Sequence, residues 1–146
     1  MSRLSTEEVD EAFGLARLAF PGLTLARWRA TARPWTARPD GQAGALLARD
    51  GAGRLVGLAP FAVRKNLRAG RTLWVERVAS FALLDGRPVV DALAQRLQKI
   101  ARQLDCRGLE VAIETGDESL RDALSGRDAL SGQARSTEST LVHTTV

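Results

Sequence analysis

WVERVASFALLDGRPVVDALAQRLQKIARQLDCRGLEVAIE, residues 74–114, is the stretch that decides the fold. Val90, Leu93, Leu97, Ile100 and Leu104 recur at helical spacing and make one apolar stripe, while Gln95, Gln98, Lys99, Arg102 and Gln103 fall off it. Pro88 suits the first turn of that helix, because the first helical N–H groups have no intrahelical partner to lose. Ahead of it, residues 72–84 are rich in β-branched and aromatic side chains and read as one strand. Behind it, past Gly108, Leu109, Val111 and Ile113 alternate with Glu110, Ala112 and Glu114, the period of a second strand. Strand, helix and strand within about 40 residues imply a parallel pair joined by a right-handed crossover.

Working toward the N-terminus, residues 43–48 and 54–63 flank Asp50-Gly51-Ala52-Gly53 and read as a hairpin. A second turn over residues 66–70 leads into the crossover unit, so an antiparallel meander precedes it. Pro60 lies inside the middle strand, where it removes a ladder donor and predicts a bulge or an unpaired stretch. Earlier still, Ser5 and Glu8 have capping-box spacing, and Val9, Ala12, Phe13 and Ala16 then follow a helical period that ends near Phe20. Pro21 and Gly22 stop this helix, and Thr24 caps a short second one through Trp28 and Ala30. Residues 31–40, a TARPW-TARPD echo, are expected to form a loop. Toward the C-terminus, Asp117 or Glu118 opens a last helix through the RDALSG echo at 121–132, and residues 139–146 read as a final strand. The expectation is one α+β domain over residues 1–146, with a mixed sheet.

Composition narrows the function. Of 146 residues, 45% are hydrophobic, enough for a core. The net charge is only +4 although the isoelectric point is about 10.5. Nineteen arginines, two lysines and no tyrosine leave almost nothing to titrate between neutrality and pH 10, so the high value does not report a strongly basic surface. Charge is nonetheless uneven: residues 1–60 hold eight basic and six acidic side chains, residues 61–107 ten and four, and residues 108–146 three and seven. One Cys and one His make a conventional zinc site unattainable, and no metal is expected. The acidic start lacks the pattern of a secretory signal, and no apolar run approaches the roughly 20 residues of a membrane span. A cytoplasmic protein without a membrane segment is expected.

The order of elements resembles the GNAT acyltransferase superfamily. RLSTEEVDEAFGLARLAF, GRLVGLAPFAVR and the 74–114 segment carry the resemblance. It implies a GNAT-like fold in which acetyl-CoA or another acyl-CoA binds where the fourth and fifth strands splay, and an acyl group passes to an amine of a small molecule or peptide. It also leaves a homodimer open. The superfamily holds the CoA pyrophosphate on a Gln or Arg followed by a glycine-rich turn at a helix N-terminus, where close approach and free N–H groups are needed. Arg87 matches the first position, but Pro88 has no N–H and Val90 stands where glycine is usual. Val89 and Val90 keep their donors, so the resemblance implies a degenerate site of Arg87, Val89 and Val90, with Ala82 and Leu83 offering backbone groups to the pantetheine arm. Glu76 occupies the strand where some members place the general base, acting directly or through water. Its bland alternative is an ion pair with Arg64 across the hairpin or with neighbours of Arg77. The proton-donating tyrosine usual in the superfamily is absent from this chain.

Other signals are set aside. GAGRLVG at 51–57 imitates a dinucleotide fingerprint but precedes a strand, so a hairpin turn is expected. Cys106 reads as a buried small hydrophobe and His143 as a residue that packs or hydrogen-bonds in the last strand. Arg27, Arg29, Arg33 and Arg38 interleave with Trp28 and Trp35, while Arg64, Lys65, Arg68 and Arg71 crowd the second turn. The first cluster could stack on bases, which makes nucleic-acid binding a further alternative, although the high isoelectric point is only weak evidence for it. The bland reading puts Trp28 in the core and the arginines in solvent. Two functions from different classes therefore remain: an N-acyltransferase, and a non-catalytic domain of the same fold that binds a ligand or protein.

Overall fold

In the computed structural model the described residues are 1–81, 87–114, 124, 134–135 and 139–145. Ser5 donates its backbone N–H to the Glu8 carboxylate at 3.0 Å, the capping contact expected from the spacing. The chain passes through a short 3₁₀ turn, Thr6–Glu8, into α1, Val9–Ala19. Gly22, at φ +88°, supplies the left-handed residue that lets Pro21-Gly22 reverse the chain. Thr24 Oγ1 then accepts the Arg27 N–H at 3.2 Å and starts α2.

α2 runs from Leu25 to Ala37, well past the expected end at Ala30, and Pro34 lies inside it. The helix survives a residue that cannot donate to Ala30 because its inner face is packed. Trp28 and Ala32 are buried, and Trp28 Nε1 donates to the Val9 carbonyl of α1 at 2.6 Å. The TARPW half of the echo is thus helical, whereas in the second half only Thr36 and Ala37 are.

The strands are β1 (Ser2–Arg3), β2 (Ala43–Arg49), β3 (Leu55–Asn66), β4 (Gly70–Val75), β5 (Ala79–Ser80), β6 (Gly108–Glu114), β7 (Ala134–Arg135) and β8 (Ser139–Thr145). Among the described residues they form one sheet in the order β1-β2-β3-β4-β6-β8-β7, with β5 also on β3. All described pairings are antiparallel except β4 with β6, the parallel crossover, where Thr72, Leu73, Trp74 and Val75 pair with Gly108, Leu109, Glu110 and Val111. The crossover helix α3 spans Arg87–Gln103. At 50–53 the expected hairpin turn forms, with Asp50 Oδ1 accepting the N–H groups of Ala52 and Arg54 at 2.9 Å each.

The single strand expected over 72–84 is broken. β4 leaves β3 after Val75, opposite Phe61, and the chain pairs with β3 again only at Ala79 and Ser80, opposite Leu58 and Gly57. Pro60 explains the gap. The Val63 N–H goes to Gln42 on the β2 side, so by alternation Pro60 directs its missing donor to the other side, where residues 76–78 stand away.

The two faces of the sheet carry different helices. α3 buries Val90, Leu93, Ala94, Leu97, Ile100 and Ala101 against Leu46, Leu73, Val75, Leu109 and Val111. α1 and α2 cover Ala45, Leu47 and Leu58 on the opposite face. Consecutive Leu46 and Leu47 are both fully buried because β2 is covered on both sides. The helix expected over the RDALSG echo lies outside the described residues apart from Leu124, which is helical and packs on the α3 side.

Candidate active site

The parallel ladder of β4 and β6 ends at Val75 and Val111. β6 continues to Glu114, paired only with β8 among the described residues, so the two central strands separate from this point. Glu76 is the first residue past the separation. It is exposed, and among the described residues its carboxylate has no ion-pair partner. The register corrects the bland expectation: Arg64 stands opposite Thr72, four residues from Glu76, and instead lies 4.5 Å from the centre of the Trp74 ring.

Glu76 lines a cavity of about 370 Å³ on the α1/α2 side of the sheet. The turn after α1 contributes Phe20, Pro21, Gly22 and Leu23; α2 contributes Arg27, Trp28, Thr31 and Trp35; β3 and β4 contribute Pro60, Arg64 and Trp74. The extra two turns of α2 matter here, since Trp35 meets Trp28 edge-on, with centroids 6.0 Å apart and planes at 76°. Trp28 is buried and Trp35 half-buried, while Arg27, Arg29, Arg33 and Arg38 are exposed, Arg29 paired with Asp10 at 2.6 Å, so in the first Arg/Trp cluster the tryptophans turn inward and the arginines stay in solvent.

On the other face, α3 begins at Arg87 with no acid in its first turn. Arg87 and Pro88 are exposed. Val90, which stands where the superfamily has glycine, is 5% exposed and belongs to the core. Val89 leans on β3, where its Cγ1 would lie 2.9 Å from a Cβ placed on Gly57. Ala82 and Leu83 lie outside the described residues.

Cys106 does not line the cavity. Cys106 is 6% exposed, and burial pushes its thiol up against the opposing effect of Arg71, contrary to what a nucleophile requires. His143 stands opposite Glu110 in the β6–β8 register. Glu110 is buried and accepts a hydrogen bond from Asn66 Nδ2 at 3.0 Å.

Sequence reasoning did not assemble the cavity. Its residues come from four elements, and Trp74 was read only as strand content. The available signal was that all three tryptophans of the chain, Trp28, Trp35 and Trp74, line this one space.

This architecture, an antiparallel meander and a parallel crossover parting over a cavity, is the GNAT acetyltransferase fold. Solved structures with that fold include an alanine acetyltransferase of ribosomal protein S5 from Vibrio fischeri (TM-score 0.73, 9% identity, 99% of this chain and 91% of that one). An aminoglycoside N-acetyltransferase in complex with CoA is also similar (TM-score 0.67, 15% identity, 83% and 79%). So is a spermidine N-acetyltransferase chimera from Vibrio cholerae (TM-score 0.64, 9% identity, 99% and 95%). No protein-family model and no curated protein matches the sequence. Among the described residues, no helix is long and apolar enough to cross a membrane.

Proposed function

We propose that residues 1–146 act as one acyl-CoA-dependent N-acyltransferase domain, with Glu76 as the base that readies an acceptor amine. The observation that carries this reading is the coincidence of three features at one point of the sheet. The central strands part at Val75, Glu76 follows directly, and the cavity of Phe20, Trp28, Trp35 and Trp74 opens beside it. Likeness to a CoA complex of an aminoglycoside N-acetyltransferase supports the same use of the parting strands.

The residues present fit a CoA phosphate in part. The first turn of a helix has unpaired N–H groups and a positive dipole end, and the first turn of α3 carries no acidic side chain. Val89 and Val90 supply donors while their side chains point into the protein. Pro88 removes one donor, so binding weaker than that of a glycine turn is expected. Arg87 adds a cation at the mouth of this turn. Bound acyl-CoA supplies an activated acyl thioester. Glu76 would accept one proton of the acceptor's ammonium, directly or through one water; the freed nitrogen lone pair would form the amide C–N bond as the C–S bond breaks, and the second proton lost by the nitrogen would go to the departing thiolate. A thiol with pKa near 8.5 departs without a tyrosine to protonate it.

Isothermal titration with CoA and acetyl-CoA tests the reading, together with thiol release from acetyl-CoA over a panel of amines. Saturable binding with amine-dependent release is the expected result. Absence of binding at millimolar CoA overturns it. Pro88 favours a second reading, a non-catalytic ligand-binding domain, and CoA-independent binding of a small molecule without any transfer would select it.

A further inference from the structure

The cavity beside Glu76 has a composition that selects among amines. This inference rests on the acyltransferase reading for what happens to the bound amine, but not for which amine binds. We propose that the acceptor carries a carboxylate and an aromatic or bulky apolar side chain, as an aromatic amino acid does, and that polyamines are excluded.

The first ground is charge. The ionisable side chains lining the cavity are Arg27, Arg64 and Glu76. Among the described residues the arginines found in ion pairs are Arg29, Arg49 and Arg54, so neither cavity arginine is neutralised by a carboxylate. Arg64 is held over the Trp74 ring, and its planar guanidinium is suited to bidentate contact with a carboxylate. The lining therefore presents two positive charges and one negative. A ligand with one ammonium for Glu76 and one carboxylate for the arginines complements all three. A polyamine brings several positive charges to a wall that is already net positive.

The second ground is the apolar lining. All three tryptophans of the chain, with Phe20, Leu23 and Pro60, line the cleft, which matches a flat or bulky apolar side chain.

The test exploits the same tryptophans. With no tyrosine in the chain, emission excited at 295 nm comes wholly from the cavity lining. The 146-residue chain is titrated with L-phenylalanine, with phenethylamine, which lacks the carboxylate, with 3-phenylpropionate, which lacks the amine, and with spermidine. L-Phenylalanine should change the emission saturably, with a Kd at least tenfold below those of phenethylamine and 3-phenylpropionate, and spermidine should not compete with it. In Arg64→Ala the preference for L-phenylalanine over phenethylamine should fall at least tenfold, with part of it restored in Arg64→Lys. Arg27→Ala, altered at an exposed position, should lower the same preference should the Arg64 variants fail to fold. Equal affinities for L-phenylalanine and phenethylamine, tighter spermidine binding, or no binding of L-phenylalanine overturns the inference. Transfer of acetyl from acetyl-CoA to spermidine in preference to L-phenylalanine overturns it while leaving the acyltransferase reading intact. Binding of L-phenylalanine with no CoA binding overturns that reading and leaves the ligand class standing.

Discussion

Glu76 shows how much one side chain's role depends on its exact place. Its type was visible in the sequence as a strand carboxylate, but its register was not, because that depends on where β4 stops pairing with β3. With Val75 opposite Phe61, Glu76 falls just beyond the ladder and beside the cavity. Glu76→Gln keeps the shape and removes the proton acceptor, so steady-state thiol release should lose about 10²–10⁴-fold in kcat, the usual range for a general base. CoA affinity by calorimetry should be unaltered in that variant; an undiminished kcat removes Glu76 from the role. Arg49 illustrates a second residue-scale effect, on stability. Its guanidinium donates to both Glu11 oxygens at 2.7 Å and to Glu8 at 3.0 Å, joining α1 to β2. Burial pushes the Glu8 carboxyl up, but hydrogen bonds from Arg49 and Ser5 outweigh it and hold it below the ordinary range, and Arg49 holds Glu11 low as well. Carboxylates with lowered folded values stabilise the fold above their unfolded pKa of about 4.3, and that contribution is lost as pH falls through the lowered values. The Tm deficit of Arg49→Ala against the parent should therefore be largest near pH 6 and shrink as the pH is taken below about 4, by circular dichroism. A constant deficit from pH 6 to 3 would contradict this linkage.

At the scale of elements, α3 was the most legible part of the chain, since an apolar stripe at helical spacing needs no knowledge of partners. α2 was the least legible. An internal proline costs a helix about 3 kcal/mol, so local propensity ends it early, and only the burial of Trp28 and Ala32 carries it to Ala37. Gly57 shows what positions the start of α3. A Cβ there would meet Val89 Cγ1 at 2.9 Å, Ala48 Cβ at 3.0 Å and Leu93 Cδ1 at 3.0 Å, so Gly57 is the space into which the first turns of α3 settle. Gly57→Ala should cost about 1–3 kcal/mol in urea unfolding, as overpacking of a tight core does. It should also weaken CoA binding, because it displaces the turn proposed to hold the phosphates. Leu97→Ala, deeper in the same helix, should cost about 2–5 kcal/mol and leave CoA affinity nearly unaltered. Equal effects of the two variants on CoA affinity would show that the N-terminal turn of α3 takes no part in binding.

Across the whole molecule, the small net charge hides a positive middle and an acidic end. Residues 61–107, with ten basic and four acidic side chains, include β4, β5 and α3, the elements that border the parting strands. An anionic ligand there gains from the summed field as well as from local contacts, so raising the salt from about 0.05 to 0.5 M should weaken CoA binding several-fold, by titration at each concentration. Salt-independent affinity would assign the binding to local contacts alone. From the sequence by itself came the periods of α1, α3, β2, β3 and β6 and the hairpin turns, which depend on neighbours within a few residues, and the crossover that makes one strand pair parallel, which follows from their order. The tertiary structure decided the length of α2, the break at Val75 and the cavity, because each depends on contacts between segments far apart in the chain. Burial of Trp28 against α1 outweighs a proline, a missing donor at Pro60 acts only through the strand that would have paired with it, and three tryptophans from two elements become one wall only when α2 packs across the sheet.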